Sequence, residues 1–176
     1  LCLPASAKSQ GIKLEISKIS LDRDRLDVVV TYSNPTDVNY VLVNTKPNLY
    51  LGEIVDVSEL QNNNYPELII VLLDSMNRIL PVTPRVDFNH KQNIKPSKAK
   101  KKLPPGIDSI TKLCADRKVK VRNKISFVPL EGRDIHKVMA VYLQGKNASL
   151  RVLEKKDFSN FILVNQNLYS SYRQVI

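Results

Sequence analysis

The chain has 176 residues, 43% of them hydrophobic, and a formal net charge of +10; that is enough apolar material for a core and too much for a disordered polymer. Two cysteines and two histidines exclude a zinc-ligand set and a disulfide framework. Five glycines form no phosphate-cradling loop, and no run of 18 apolar residues offers a membrane-spanning helix.

The N-terminal stretch LCLPASAKSQ contains Ala5-Ser6-Ala7, a small-x-small pattern of the kind that precedes secretory cleavage. Residues 1–7 are therefore expected to be the remnant of a signal peptide, with residues 8–176 forming one domain and the protein periplasmic or secreted. Lipidation at Cys2 is an open alternative. So is a Cys2 to Cys114 disulfide, should the N-terminus be retained in an oxidising compartment.

Period-two alternation dominates the remainder of the chain. IKLEIS places Ile12, Leu14 and Ile16 on one face, and RLDVVVTYS does the same with Leu26, Val28, Val30 and Tyr32; both read as half-buried strands. NPTD (Asn34 to Asp37) is turn chemistry before a third strand, VNYVLVN. NLYLGEIVDVSEL is compatible with an edge strand bulged near Gly52 or with a long crossing loop. The continuous apolar run Leu68 to Leu73 predicts a strand buried on both faces, and DSMNR a turn leading into ILPV. The segment NHKQNIKPSKAKKKLPPG has no periodicity and reads as an exposed loop. DSITKLCA, RKVKVRNKISFVPL and KVMAVYLQG predict three further strands. The only helical possibilities are short, about two turns each, at Gly132–Val138 and Glu154–Phe161.

Short strands at roughly ten-residue spacing, with turns between them, predict an all-β sandwich with long loop insertions and at most short helices. YSNPTDVNYVLV, LLDSMNRILPV and KKLPPGIDSITKL, in that order, resemble the strand and turn sequence of bacterial immunoglobulin-like domains. The resemblance implies an immunoglobulin-like antiparallel β-sandwich and carries no site with it.

No catalytic constellation emerges, and the chain is expected not to be an enzyme and to hold no metal or cofactor. His90 and His136 lie in separate segments, and Cys114, in a run with Ile110 and Leu113, is expected to be a small buried hydrophobe. Asp22, Asp24, Glu131 and Asp134 sit among arginines in turns and read as solvated or paired carboxylates. Asn147-Ala148-Ser149 matches the N-glycosylation acceptor.

Charge supplies the functional candidates. Residues 85–124 hold thirteen Lys or Arg against three Asp, while the remainder is balanced. Lys98, Lys100, Lys101 and Lys102 cluster in the basic loop. Lys118, Lys120, Arg122 and Lys124 alternate with Val119, Val121 and Ile125, so a strand would set them in a cationic row about 7 Å apart. Solvation of an outer face, or protection of a sheet edge, accounts for such a row as readily as binding does. Tyr50 and Tyr65, with neighbouring asparagines, form a second candidate surface. Nucleic acid is disfavoured, because the basic segment interleaves only Phe88 and Phe127 as aromatics and is richer in Lys than Arg. The expected partner is an acidic protein, as for an inhibitor or immunity-type protein of the bacterial envelope; an anionic envelope polymer is the alternative.

Overall fold

The computed structural model describes residues 11–44, 48–49, 67–83, 85, 109–130, 132, 134–143, 159–164 and 166–175. Its elements are β1 (Lys13–Leu21), β2 (Arg25–Ser33), β3 (Tyr40–Asn44), β4 (Asn48–Leu49), β5 (Glu67–Leu73), β6 (Ser109–Leu113), β7 (Lys118–Ser126), β8 (Lys137–Leu143), β9 (Ile162–Leu163), β10 (Leu168–Tyr169) and β11 (Arg173–Gln174). The fold is all-β, in three mostly antiparallel sheets ordered β1-β2-β7, β10-β8-β5-β4 with β11 also on β8, and β6-β3-β9.

Period-two patterning fixes how these sheets meet. Ile12, Leu14 and Ile16 from the first strand region, Leu26, Val28, Val30 and Tyr32 from β2, and Ile125 from β7 point inward. They pack with Leu68, Ile70 and Leu72 of β5 and Val138, Ala140 and Tyr142 of β8 in one cluster, to which Leu42, Leu113 and Val164 of the third sheet region also belong. Leu68 to Leu73 is buried on both faces, as its uninterrupted apolar run requires: Ile69, Val71 and Leu73 form a second cluster with Met139, Val141 and Leu143 of β8. After β5, Asp74 accepts from the backbone N–H groups of Met76 and Arg78 at 2.8 and 2.9 Å, and Asn77 takes a positive φ of 61°. The chain thereby turns back to bridge Ile79 to Leu73.

Neither helical possibility is realised among the described residues, and one expectation, a buried Cys114, needs correction. No helix occurs among the described residues: Gly132 lies in a turn at φ 67°, Asp134 to His136 are extended coil, and Lys137 and Val138 already belong to β8. The polar residues suggested a helix, but Val138 and the apolar residues after it are drawn into pairing with β5. Of the second helical candidate, Ser159 and Asn160 form a turn; residues 154–158 lie outside the described residues. Cys114 is exposed, not buried. It follows Leu113, which is fully buried, so alternation sends it to the opposite side. The signal-peptide segment, the Asn147 acceptor and residues 50–66, including Gly52, also lie outside the described residues.

One side chain ties the connections together. Asn34, 2% exposed, donates through Nδ2 to the carbonyls of Val38 (2.7 Å), Leu113 (3.2 Å) and Cys114 (3.1 Å). Its Oδ1 accepts from the Thr36 backbone N–H and hydroxyl at 3.0 and 2.7 Å. Asn34→Ala would leave buried carbonyls unpaired, and we expect it to lower unfolding free energy by about 3 kcal/mol in urea titration.

Two buried tyrosines behave oppositely. Tyr32 and Tyr142 meet edge to face with ring centroids 6.1 Å apart, and burial pushes both hydroxyl pKa values upward. Tyr142 donates to the Val43 carbonyl at 3.3 Å, whereas the Tyr32 hydroxyl finds no partner among the described residues. Tyr32→Phe is therefore expected to raise stability by about 1 kcal/mol and Tyr142→Phe to lower it by about as much, both read by urea denaturation.

Candidate functional site

The cationic row exists as a face. β2 and β7 pair antiparallel from Arg25 opposite Ser126 to Ser33 opposite Lys118, with no slip. Ile125 is buried and Val119 and Val121 are packed against the core, so Lys118, Lys120, Arg122 and Lys124 face solvent on the other side. Asn123, also inward, is buried and its Nδ2 reaches the Val121 carbonyl at 3.5 Å.

The outer surface of this sheet is wider than its best-marked strand. On β2 the residues opposite the cations are Ser33, Thr31, Val29 and Asp27. On β1 these pair in turn with Lys13, Glu15, Lys18 and Ser20. Including Arg25, the three strands present seven cations and two carboxylates, all on the outer side. Lys13, Lys18 and Arg25 belong to the chain's charge-balanced portion and join the face only through the β1-β2-β7 order. The signal for Lys13 was the alternation of IKLEIS; for Lys18 it was hidden by a bulge between Ile16 and Lys18, which shifts the phase.

The cations of the row differ in state. Arg122 forks onto Asp27: Nε donates to Oδ1 at 2.9 Å and to Oδ2 at 3.1 Å, and a terminal guanidinium nitrogen also bonds Oδ2. This hydrogen bonding holds the Asp27 carboxyl below its usual range, with Arg122, Lys124 and Lys18 adding attraction, and raises the Arg122 pKa in return. Lys118, Lys120 and Lys124 make no ion pair with any described residue. Arg122 is committed within the fold, and the lysines beside it carry the charge available to a partner.

Lys98, Lys100, Lys101, Lys102, Tyr50 and Tyr65 lie outside the described residues. Of the turn carboxylates, Asp24 pairs with Arg85 at 3.1 Å and Asp22 accepts from the Arg23 backbone N–H at 2.8 Å, while Glu131 lies outside the described residues. His136 lines an open cavity of about 420 Å³ with Asp74, Arg78, Asp134 and Gly132, where Asp74 is already taken by Arg78. Among the described residues no three His, Cys, Asp or Glu side chains gather as metal ligands, and no helix is long and apolar enough to cross a membrane.

The Asp27 link sets a pH dependence. A carboxylate whose folded pKa is depressed adds stability above its unfolded pKa and loses it as pH falls through the folded value. Wild type is thus expected to exceed Asp27→Asn in urea midpoint at neutral pH. The gap should shrink only below the ordinary aspartate value of 3.8.

Comparison of the chain with protein-family models, with curated proteins and with solved structures gave no match in any of the three.

Proposed function

We propose that the chain is a non-enzymatic binding protein, exported to the periplasm or secreted, that recognises an acidic protein through the outer face of the β1-β2-β7 sheet. Its architecture in this reading is an immunoglobulin-like sandwich, and its role that of an inhibitor or immunity-type protein of the bacterial envelope. The observation that carries the reading is the set Lys118, Lys120 and Lys124: exposed, aligned on one strand, and without an ion pair among the described residues. Burying them against carboxylates would add charge-assisted contacts without first breaking internal ones. The exported location rests on Ala5-Ser6-Ala7 alone. Tyr50, Tyr65 and the lysines at 98 and 100–102 are secondary contacts.

An anionic envelope polymer is the second reading, favoured by the preponderance of Lys over Arg, since point charges suit diffuse attraction more than bidentate readout. Salt separates the two, because diffuse attachment weakens steeply with ionic strength while a desolvated protein interface weakens less. The test is capture from a bacterial envelope extract by wild type and by the Lys118→Glu, Lys120→Glu, Lys124→Glu triple variant, washed at low and then high salt. Arg122 stays in place because it holds Asp27. We expect an acidic protein to survive the high-salt wash on wild type and to be lost at least tenfold from the variant. Equal retention by both would sink the reading, and recovery of polymer only at low salt would replace it with the second.

A further inference from the structure

The outer face of the β1-β2-β7 sheet is not level. β2 lies in the middle, paired on both sides, and the side chains it sends outward after Arg25 are the short ones of Asp27, Val29, Thr31 and Ser33. Thr31 is only 6% exposed and the other three are half-buried, whereas Lys13, Glu15 and Lys18 on β1 and the four cations of β7 are exposed. Ser17, in the β1 bulge, closes the floor by bonding the Val29 carbonyl and the Thr31 hydroxyl. A lysine carries its charge at the end of a long flexible stem. The flanking strands therefore stand above β2 as two walls, their backbones about 10 Å apart at twice the strand spacing.

Charge follows the same relief. Across the sheet Ser33 stands between Lys13 and Lys118, and Val29 between Lys18 and Arg122. Glu15 interrupts the β1 wall, facing Lys120 across Thr31. The floor from Ser33 to Val29 is uncharged, and Asp27, the carboxylate beyond it, is engaged by Arg122. Lys13, Lys18, Lys118 and Lys120 make no ion pair with any described residue. We infer that this trough takes an extended acidic segment of the partner protein, laid lengthwise over β2 with its carboxylates turned alternately to the two walls. An extended chain sends successive side chains to opposite sides, and those on one side recur every two residues, or about 7 Å, which is the spacing of Lys118 and Lys120. Width and sign exclude other occupants. A helix, about 10 Å across with its side chains, would rest on the lysine tips, and a second copy of this face would set cations against cations. The inference deepens the acidic-partner reading and rests on it.

The probe is labelled hexaglutamate, compared with an alanine-rich helical peptide carrying the same number of glutamates. Binding to the whole chain is read by fluorescence anisotropy, and contacts by NMR from the peptide to the methyl groups of Val29 and Thr31. One variant neutralises the β1 wall (Lys13→Gln with Lys18→Gln) and one the β7 wall (Lys118→Gln with Lys120→Gln). A third fills the floor without changing charge (Val29→Tyr with Ser33→Tyr), and its urea midpoint shows whether it folds. We expect hexaglutamate to bind at least fivefold more tightly than the helix, each wall variant to lose at least fivefold, and the filled floor at least tenfold. Glu15→Gln should tighten binding at least twofold, a gain that misfolding does not produce. Contacts to both methyl groups are expected in the wild type, which decides the matter should the filled floor fail to fold. Wild-type affinity in a folded floor variant, an indifferent β1 wall, or no contact to either methyl group overturns the trough. If a teichoic acid shows the wall and floor dependence and the peptide does not, the trough takes a polymer and the acidic-segment inference falls. If the trough fails these tests while the triple charge reversal still releases the captured acidic protein, the acidic-partner reading stands without it. If neither peptide nor captured protein depends on the lysines, both fall.

Discussion

The Asn34 carboxamide is the constraint on which the arrangement of the strands depends. Its two functional ends serve two connections at once, holding Thr36 within its own turn while Nδ2 binds the carbonyls at the end of β6. The backbone reinforces the clamp: Asn34 N–H reaches Arg117 O, and Asp116 N–H reaches Thr36 O at 3.2 Å. Asp116 can enter the left-handed region, at φ 54°, because a short polar side chain tolerates it. The β2–β3 and β6–β7 connections are thus one unit. Since β7 starts immediately after it, the unslipped β2–β7 register, and with it the outward aim of the lysines, follows from this junction.

A second layer of order comes from strands that have no polar side. β5 and β8 are apolar on both faces, which places them inside the molecule, and their side chains divide between two clusters by parity alone. A one-residue slip would exchange the two sets, so the register is held by two packing surfaces at once. By contrast β1 tolerates a bulge. Ser17 occupies it, bonding the Val29 carbonyl at 3.3 Å and the Thr31 hydroxyl, while Arg173 near the C-terminal end reaches the Ile16 carbonyl at 3.2 Å. A polar outer face absorbs an irregularity that a doubly buried strand would not.

These differences explain what was legible in the sequence. β2 and β7 show period two because one face meets the core and the other meets water, and their extents follow the alternation closely. β5 is legible for the opposite reason: a six-residue apolar run is too short for a buried helix and needs no alternation. β9, β10 and β11 have two residues each; they exist as strands only because β3 and β8 offer them partners, and no local pattern can announce that. The cationic face was half legible. The row on β7 is written in the sequence, but the contribution of Lys13, Lys18 and Arg25 depends on which strand lies beside which. So does the withdrawal of Arg122 into its fork with Asp27.

The lysines of β7 also resolve an apparent conflict between protection and recognition. An exposed strand edge invites pairing with any chain, and a row of cations is the usual means of discouraging it. The effect is selective, however: like charge opposes basic strands, including a second copy of β7, while opposite charge attracts acidic ones. Asp27 fits this account, because its hydrogen bonds go to Arg122, while Lys124 opposite it is attracted without forming an ion pair. Had all four cations been paired internally, the outer face would carry little net charge; with three left unpaired among the described residues, it discriminates partners by sign.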